Sequence, residues 1–439
     1  MRRSIVVCLA LFAVTAAAQE AEDSGPSILS RGANPAMGAG GYLPTIKPFL
    51  SLSGVYDTGL TPVAVDANGQ IPQVDGFGGE VGFGVVGYKR WQRTALGIDY
   101  RGNLRWYPGH SYYDASDHVF GLSVSRQLTG RTSLILREAA GSFSRGYGMA
   151  GGYSPFDPAI AGVPANELFD ARTNYLSSMA NLMFQKSARL SFGIGGSGTL
   201  VRRRGGALVG STGWSANGDV SYRISRSVTL GADYSFAHTA FTKAFGSSDI
   251  HSAGFNATVR LGRRWELGLR AGAARVAMVS LVRIDFDPVI AAILGQSSGI
   301  IVSRNTYFIP SSGVKLSRAF RRSSFSIEYK NEPTSGNGVY TTSRSQGAGA
   351  SYSFTGLRRL NFGFSAGYIT YTSLSQNLGK YKSLTGGVGV NYRLKGWLHF
   401  TSGYDVRKYD VSDEFLRRLN HRVSIGLAFS PGERPLPLR

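Results

Sequence analysis

Three short segments carry spacings that cofactor binding or catalysis could use. Gly82-Phe-Gly-Val-Val-Gly87 and Gly193-Ile-Gly-Gly-Ser-Gly198 match the glycine spacing of a dinucleotide-binding loop. That chemistry needs a strand before the glycines and a helix N-terminus after them, so that backbone N–H groups can hold a pyrophosphate. Both segments instead sit inside alternating apolar and small residues with no helical period following. Gly363-Phe-Ser-Ala-Gly367 has the spacing of a nucleophile elbow, which works only where a strand turns sharply into a helix and exposes the hydroxyl. Here alternation runs through Ser365 to Tyr368 without a break. The six histidines, His110, His118, His238, His251, His399 and His421, show no pairing with a serine that would make a base. No cysteine pair and no His-x-x-x-His pair offers a metal site. These residues name no catalytic group, metal or cofactor, and the expectation is a protein that is not an enzyme.

A different chemistry is available to charged residues that share one face of a strand. Arg101, Arg105, Arg223, Arg260, Arg270 and Arg393 fall on such faces, and Asp99, Asp219, Asp233, Glu266, Glu328 and Asp405 oppose them in number. Glu80, Lys330, Arg407 and Arg422 extend the same set. Placed around a water-filled space, mixed charges order water and favour polar solutes, with weak preference between anions and cations. Two further segments repeat one another: Phe156-Asp-Pro-Ala-Ile-Ala161 and Phe286-Asp-Pro-Val-Ile-Ala291. Asp caps free N–H groups and Pro tolerates the first helical position, so Asp157-Pro158 and Asp287-Pro288 should each open a short helix. Such helices would either pack over a rim or fold toward a lumen and narrow it.

The elements that must hold these residues are strands. From Ala95 to Trp106, Leu96, Ile98, Tyr100, Leu104 and Trp106 share one face, while Gly97, Asp99, Arg101, Asn103 and Arg105 share the other. Only a period of two separates those sets. The same alternation recurs around Val220–Ile224, Leu360–Tyr368 and Leu384–Arg393. A soluble sandwich carries its charges outside; here the polar face is mostly Gly, Ser, Thr and Asn, and the apolar face is rich in aromatics. That inversion suits lipid outside and water inside. Short basic turns recur roughly every 38 residues, except for two gaps about 20 longer, at 89–93, 126–131, 186–189, 226, 263–264, 315–322, 358–359 and 395–396. Such a period fits two membrane-crossing strands, one tight turn and one longer loop. The reading is an all-β, transmembrane, antiparallel up-and-down β-barrel of about 18 strands, with 16 the other count the spacing allows.

The sequence thereby resembles the bacterial outer-membrane β-barrel, or porin-like, superfamily. The likeness covers residues 45–429 as a pattern of strands, and the last of them, Val423-Ser-Ile-Gly-Leu-Ala-Phe429, resembles the signal by which the barrel assembly machinery recognises its clients. Residues 1–18, a cationic start, an apolar run and Ala16-Ala17-Ala18, have the proportions of a signal peptide. Residues 19–44 lack periodicity and read as an irregular periplasmic segment, and 430–439 form a Pro-rich tail. An even strand count puts both termini on the periplasmic side. The implied function is a porin-like channel for passive diffusion of small polar solutes. A non-conducting structural or surface-interaction barrel and an outer-membrane lipid hydrolase are the other readings; a trimer is compatible with the size, and no strand marks an interface.

Composition closes the argument. A net charge of +21 with a pI near 10.1 first suggests nucleic acid. Yet the eight turns hold 17 basic residues and no acidic one, so the excess forms a ring at one end of the barrel, suited to outer-membrane lipid phosphates rather than nucleic acid. The 58 glycines follow no collagen period and lie largely along strands.

Overall fold

The computed structural model describes residues 45–60, 74–143, 172–203, 209–334, 341–354, 357, 359–374, 380–411, 416–431 and 434–435. The strands in chain order are β1 Thr45–Leu60, β2 Val74–Arg90, β3 Thr94–Trp106, β4 Ala115–Gln127, β5 Thr132–Phe143 and β6 Thr173–Gln185. They continue as β7 Leu190–Arg203, β8 Gly210–Arg223, β9 Val228–Thr242, β10 Gly246–Leu261, β11 Trp265–Asp285 and β12 Ser298–Ala319. The last six long strands are β13 Ser323–Thr334, β14 Ser343–Phe354, β15 Leu360–Ser373, β16 Lys380–Arg393, β17 Leu398–Val411 and β18 Leu416–Phe429. A two-residue β19, Arg434–Pro435, follows, and one helix, α1 Pro288–Leu294, lies between β11 and β12.

Each long strand pairs antiparallel with the next, and β18 returns to β1 in the register Leu50↔Phe429 to Asp57↔Arg422. Eighteen strands therefore close on themselves. Closure is what a bilayer demands, because its core offers no water to satisfy an open edge. The tail does not stop at Phe429: β19 adds two more pairs to β1, Thr45↔Pro435 and Ile46↔Arg434. The Asp287-Pro288 helix starts where its residues place it, with Val289 N–H donating to Asp287 Oδ1 at 2.9 Å and Gly295 closing it in the left-handed conformation. Asp157 and Pro158 lie outside the described residues. Both glycine-loop matches fall inside strands, β2 and β7, and Ser365 sits within β15, so neither motif has the turn its chemistry requires. Three turns are shorter than expected: Lys89 and Arg90 belong to β2, Arg126 to β4, and Lys315 and Arg318 to β12, whose ladder with β13 runs on to Ala319↔Ser324.

Residues directly opposite in an antiparallel ladder share a face, so the register sorts every side chain. Leu52↔Val81 and Val81↔Leu104 make one apolar row, and Ile194, Phe255 and Phe308 on the same outer face are 68%, 76% and 77% exposed. So much exposed apolar surface on one side of a sheet is a lipid-facing band. At its tight-turn end tryptophans meet the basic ring: Lys89 Nζ lies 4.8 Å from the Trp91 ring, Arg318 4.7 Å from Trp265, and Lys395 5.9 Å from Trp397. Polar groups on the lipid side come in pairs. Tyr100, Tyr234 and Tyr404, each the seventh residue of its strand, reach His118, His251 and His421 at 3.1, 2.8 and 2.8 Å. Ser178 donates to Glu138 at 2.5 Å, and His238 meets Asp249 at 2.6 Å. In hydrocarbon each of these groups would otherwise go unsatisfied.

Candidate luminal site

The face opposite the lipid band carries all twelve charged residues expected to line a pore. Arg105 stands opposite Glu80, Arg101 opposite Gly84 and Asp99 opposite Val86 on the β2–β3 ladder. Asp219 stands opposite Asp233 across β8–β9, Arg260 opposite Glu266 across β10–β11, and Asp405 opposite Arg422 across β17–β18. Arg270, Glu328, Arg393 and Arg223 occupy the same face. Glycine and serine fill much of the remaining wall, and hydroxyls bridge strands directly: Ser197–Ser215 and Ser326–Ser351 are both 2.7 Å apart.

Most of these charges are paired, in two groups. Toward the long-connection ends of β1, β2, β3 and β18, Arg422 contacts Glu80 and lies 3.9 Å from Asp57. Arg105 lies 3.5 Å from Glu80 and 3.3 Å from Asp117. Asp57, Arg422, Arg105 and Asp117 are all buried. The connection from β3 to β4 seals them: Tyr107 donates its hydroxyl to Asp57, and Asp114 accepts from the Tyr107 N–H at 2.8 Å. Tyr107 and Tyr113 then pack on Val55 and Leu60 of the inner wall. Burial and the Asp57 carboxylate push the Tyr107 phenol well above its usual range, so it stays a donor at working pH.

The second group lies on β8 to β13. Arg270 reaches Asp233 at 2.6 Å and Ser252 at 3.3 Å, and with Asn217, Asp219, Thr239 and Glu332 these side chains line a cavity of about 500 Å3. Elsewhere Asp99 binds Arg101 at 3.0 Å, and Glu328 meets Lys330 at 2.6 Å and Lys315 at 3.7 Å. Sequence reasoning missed Asp57, Asp117 and Glu332, which lie at strand ends where alternation is short. Asp57 could have been found from the alternation of Ser51, Ser53 and Val55 ahead of it. It also missed an apolar patch on the inner wall, where Ala274, Val276, Met278 and Ile309 are buried. Among the described residues no group of three or more metal-ligating acids, histidines or cysteines occurs.

A closed 18-stranded antiparallel barrel with an exposed apolar band outside and a polar, charged inner wall has the architecture of a transmembrane β-barrel. No protein-family model matches the sequence, and no curated protein does either. Among solved structures, OpdQ of Pseudomonas aeruginosa aligns with TM-score 0.41 and 11% identity over 88% of this chain and 98% of that one. OccK5 (OpdH) of the same bacterium aligns with TM-score 0.41 and 13% identity over the same shares. The FrpB iron transporter of Neisseria meningitidis, F5-1 variant, aligns with TM-score 0.42 and 10% identity over 87% of this chain and 66% of that one. The fold assignment rests on the barrel's own strand pairing.

Proposed function

We propose that this barrel is a passive outer-membrane channel for small polar solutes. The carrying observation is the inner wall: eighteen strands enclose a lumen lined by charges, hydroxyls and glycine, with a polar cavity of about 500 Å3 along it. A barrel of this strand number is too wide for its own side chains to fill. Among the described residues, the β3–β4 connection is seated on the inner wall through Tyr107 and Tyr113, where it would narrow the lumen. Tight basic turns facing the periplasm, both termini on that side, and recognition of Phe429 by the assembly machinery belong to the same reading. The Trp91, Trp265 and Trp397 girdle with its Lys and Arg partners supports an orientation in which these turns meet lipid phosphates.

Reconstitution in planar bilayers tests the proposal. Stepwise single-channel conductance that scales with salt concentration is expected. A correctly folded barrel that gives no steps and no swelling of solute-loaded liposomes would leave the non-conducting structural barrel as the function.

A further inference from the structure

The cavity on β8 to β13 is chemically unbalanced. Asp219 and Asp233 are direct cross-strand partners on the luminal face, an arrangement in which like charges repel. Asp233 is neutralised: Arg270 Nη2 lies 2.6 Å from Oδ2, its Nε lies 3.3 Å from both oxygens, and Asn256 donates at 3.3 Å. Arg270 thereby turns its Nε and Nη2 groups to Asp233 and Ser252, and its charge also acts on Glu332. Asp219 and Glu332, which line the same cavity, have no hydrogen bond or ion pair to any described residue. A third group has the same deficit. Thr239 is 8% exposed and lines the cavity, and its hydroxyl meets no described partner. A hydroxyl without a protein partner at the wall of a cavity is open to bond whatever occupies that cavity.

Asp219, which has no ion pair to any described residue, Glu332, which shares the Arg270 charge, and the unpartnered hydroxyl of the 8% exposed Thr239 therefore line a space large enough for a small organic molecule. We infer that this cavity is a binding subsite for small organic cations bearing an ammonium or guanidinium group. The inference rests on the channel reading and names its substrate class. Charge-assisted hydrogen bonds to Asp219 and Glu332 supply the attraction, and Thr239 and the Asn217 amide fix orientation. The Asp233–Arg270 pair forms a neutral, rigid floor. Gly193 makes room for this geometry, since a Cβ there would lie 2.1 Å from Asp219 Oδ1; any side chain at that position would drive the carboxylate off the wall.

The test uses the full-length barrel, the double variant Asp219→Asn/Glu332→Gln, and agmatine, which carries a guanidinium and an ammonium but no carboxylate. Heat-modifiable electrophoretic mobility confirms that each barrel is folded. In planar bilayers agmatine should interrupt the wild-type current, and the concentration for half interruption should rise at least tenfold in the variant. Calorimetric titration of the detergent-solubilised barrel should show agmatine binding that the variant loses. Thr239→Val, which keeps shape and removes the hydroxyl, should weaken binding by a smaller factor. An agmatine response equal in wild type and variant overturns the inference, as does a wild type that prefers potassium over chloride yet neither binds nor responds to agmatine. A barrel that binds agmatine through these residues but passes no current overturns the channel reading and leaves the subsite standing.

Discussion

Replacing Arg422 by Met should destabilise the barrel severely, and the size of the effect follows from its surroundings. The Arg422 side chain is 2% exposed, contacts Glu80, and lies beside Asp57, whose side chain is fully buried. Asp405 is its direct cross-strand partner. Met fills similar volume but leaves those carboxylates with Arg105, Asn103, the Tyr107 hydroxyl and, for Asp405, Arg407 as their remaining support. Removing one partner of a buried ion pair costs roughly 3–5 kcal/mol, because the surviving charge stays buried without compensation. At about 1.4 kcal/mol per factor of ten, the folded-to-unfolded ratio should fall by about two to four powers of ten. Urea titration of the purified barrel, read by loss of heat-modifiable mobility and by tryptophan fluorescence, measures this directly. The triple variant Arg422→Met/Glu80→Gln/Asp57→Asn should recover most of the loss, since replacing a whole buried ion cluster by neutral groups is often close to neutral. A single variant with the wild-type midpoint, or a triple variant no more stable than the single one, would refute the claim that charge compensation holds this corner.

Three further perturbations probe other parts of the fold. Glu138 faces the lipid band and, among the described residues, accepts a hydrogen bond from Ser178 alone, so Glu138→Leu should raise the urea midpoint by an amount worth roughly 1–2 kcal/mol; a lowered midpoint would mean that this face meets a second protein surface. Deleting residues 286–297 and joining the ladder with two glycines should leave conductance unchanged, because Val289 and Ile293 of α1 are 67% and 78% exposed and so lie against no inner wall; an enlarged conductance would show that the helix narrows the pore after all. Gly272→Ala should impair assembly or cost roughly 1–3 kcal/mol, since the added Cβ would lie 2.2 Å from the Ala253 carbonyl oxygen, a backbone atom that cannot swing aside; a midpoint equal to wild type would show that β10 and β11 separate more easily than their ladder implies.

The strands were legible because both sides of this wall obey one simple rule. Lipid excludes charge from Leu104, Ile194 and Phe255, water excludes nothing from Gly82 or Ser197, and a period-two pattern carries that contrast in a single chain. Face assignments such as Arg101, Asp219 and Arg393 followed from parity alone, and the ladders place all of them on the inner side. What parity cannot supply is who meets whom around the circumference. Arg422 and Glu80 are 342 residues apart and touch only because β18 closes on β1. Asp233 and Arg270 meet across β10 through the β9–β10–β11 register, and their pairing leaves Asp219 without an ion pair although the charges of the lumen nearly balance in number. A count of nine basic against seven acidic residues thus implied weak selectivity, whereas the closed structure separates a sealed, compensated corner from an acidic cavity. Selectivity in such a barrel is set by which charges remain after neighbours have paired, and that quantity is decided by register and closure rather than by composition.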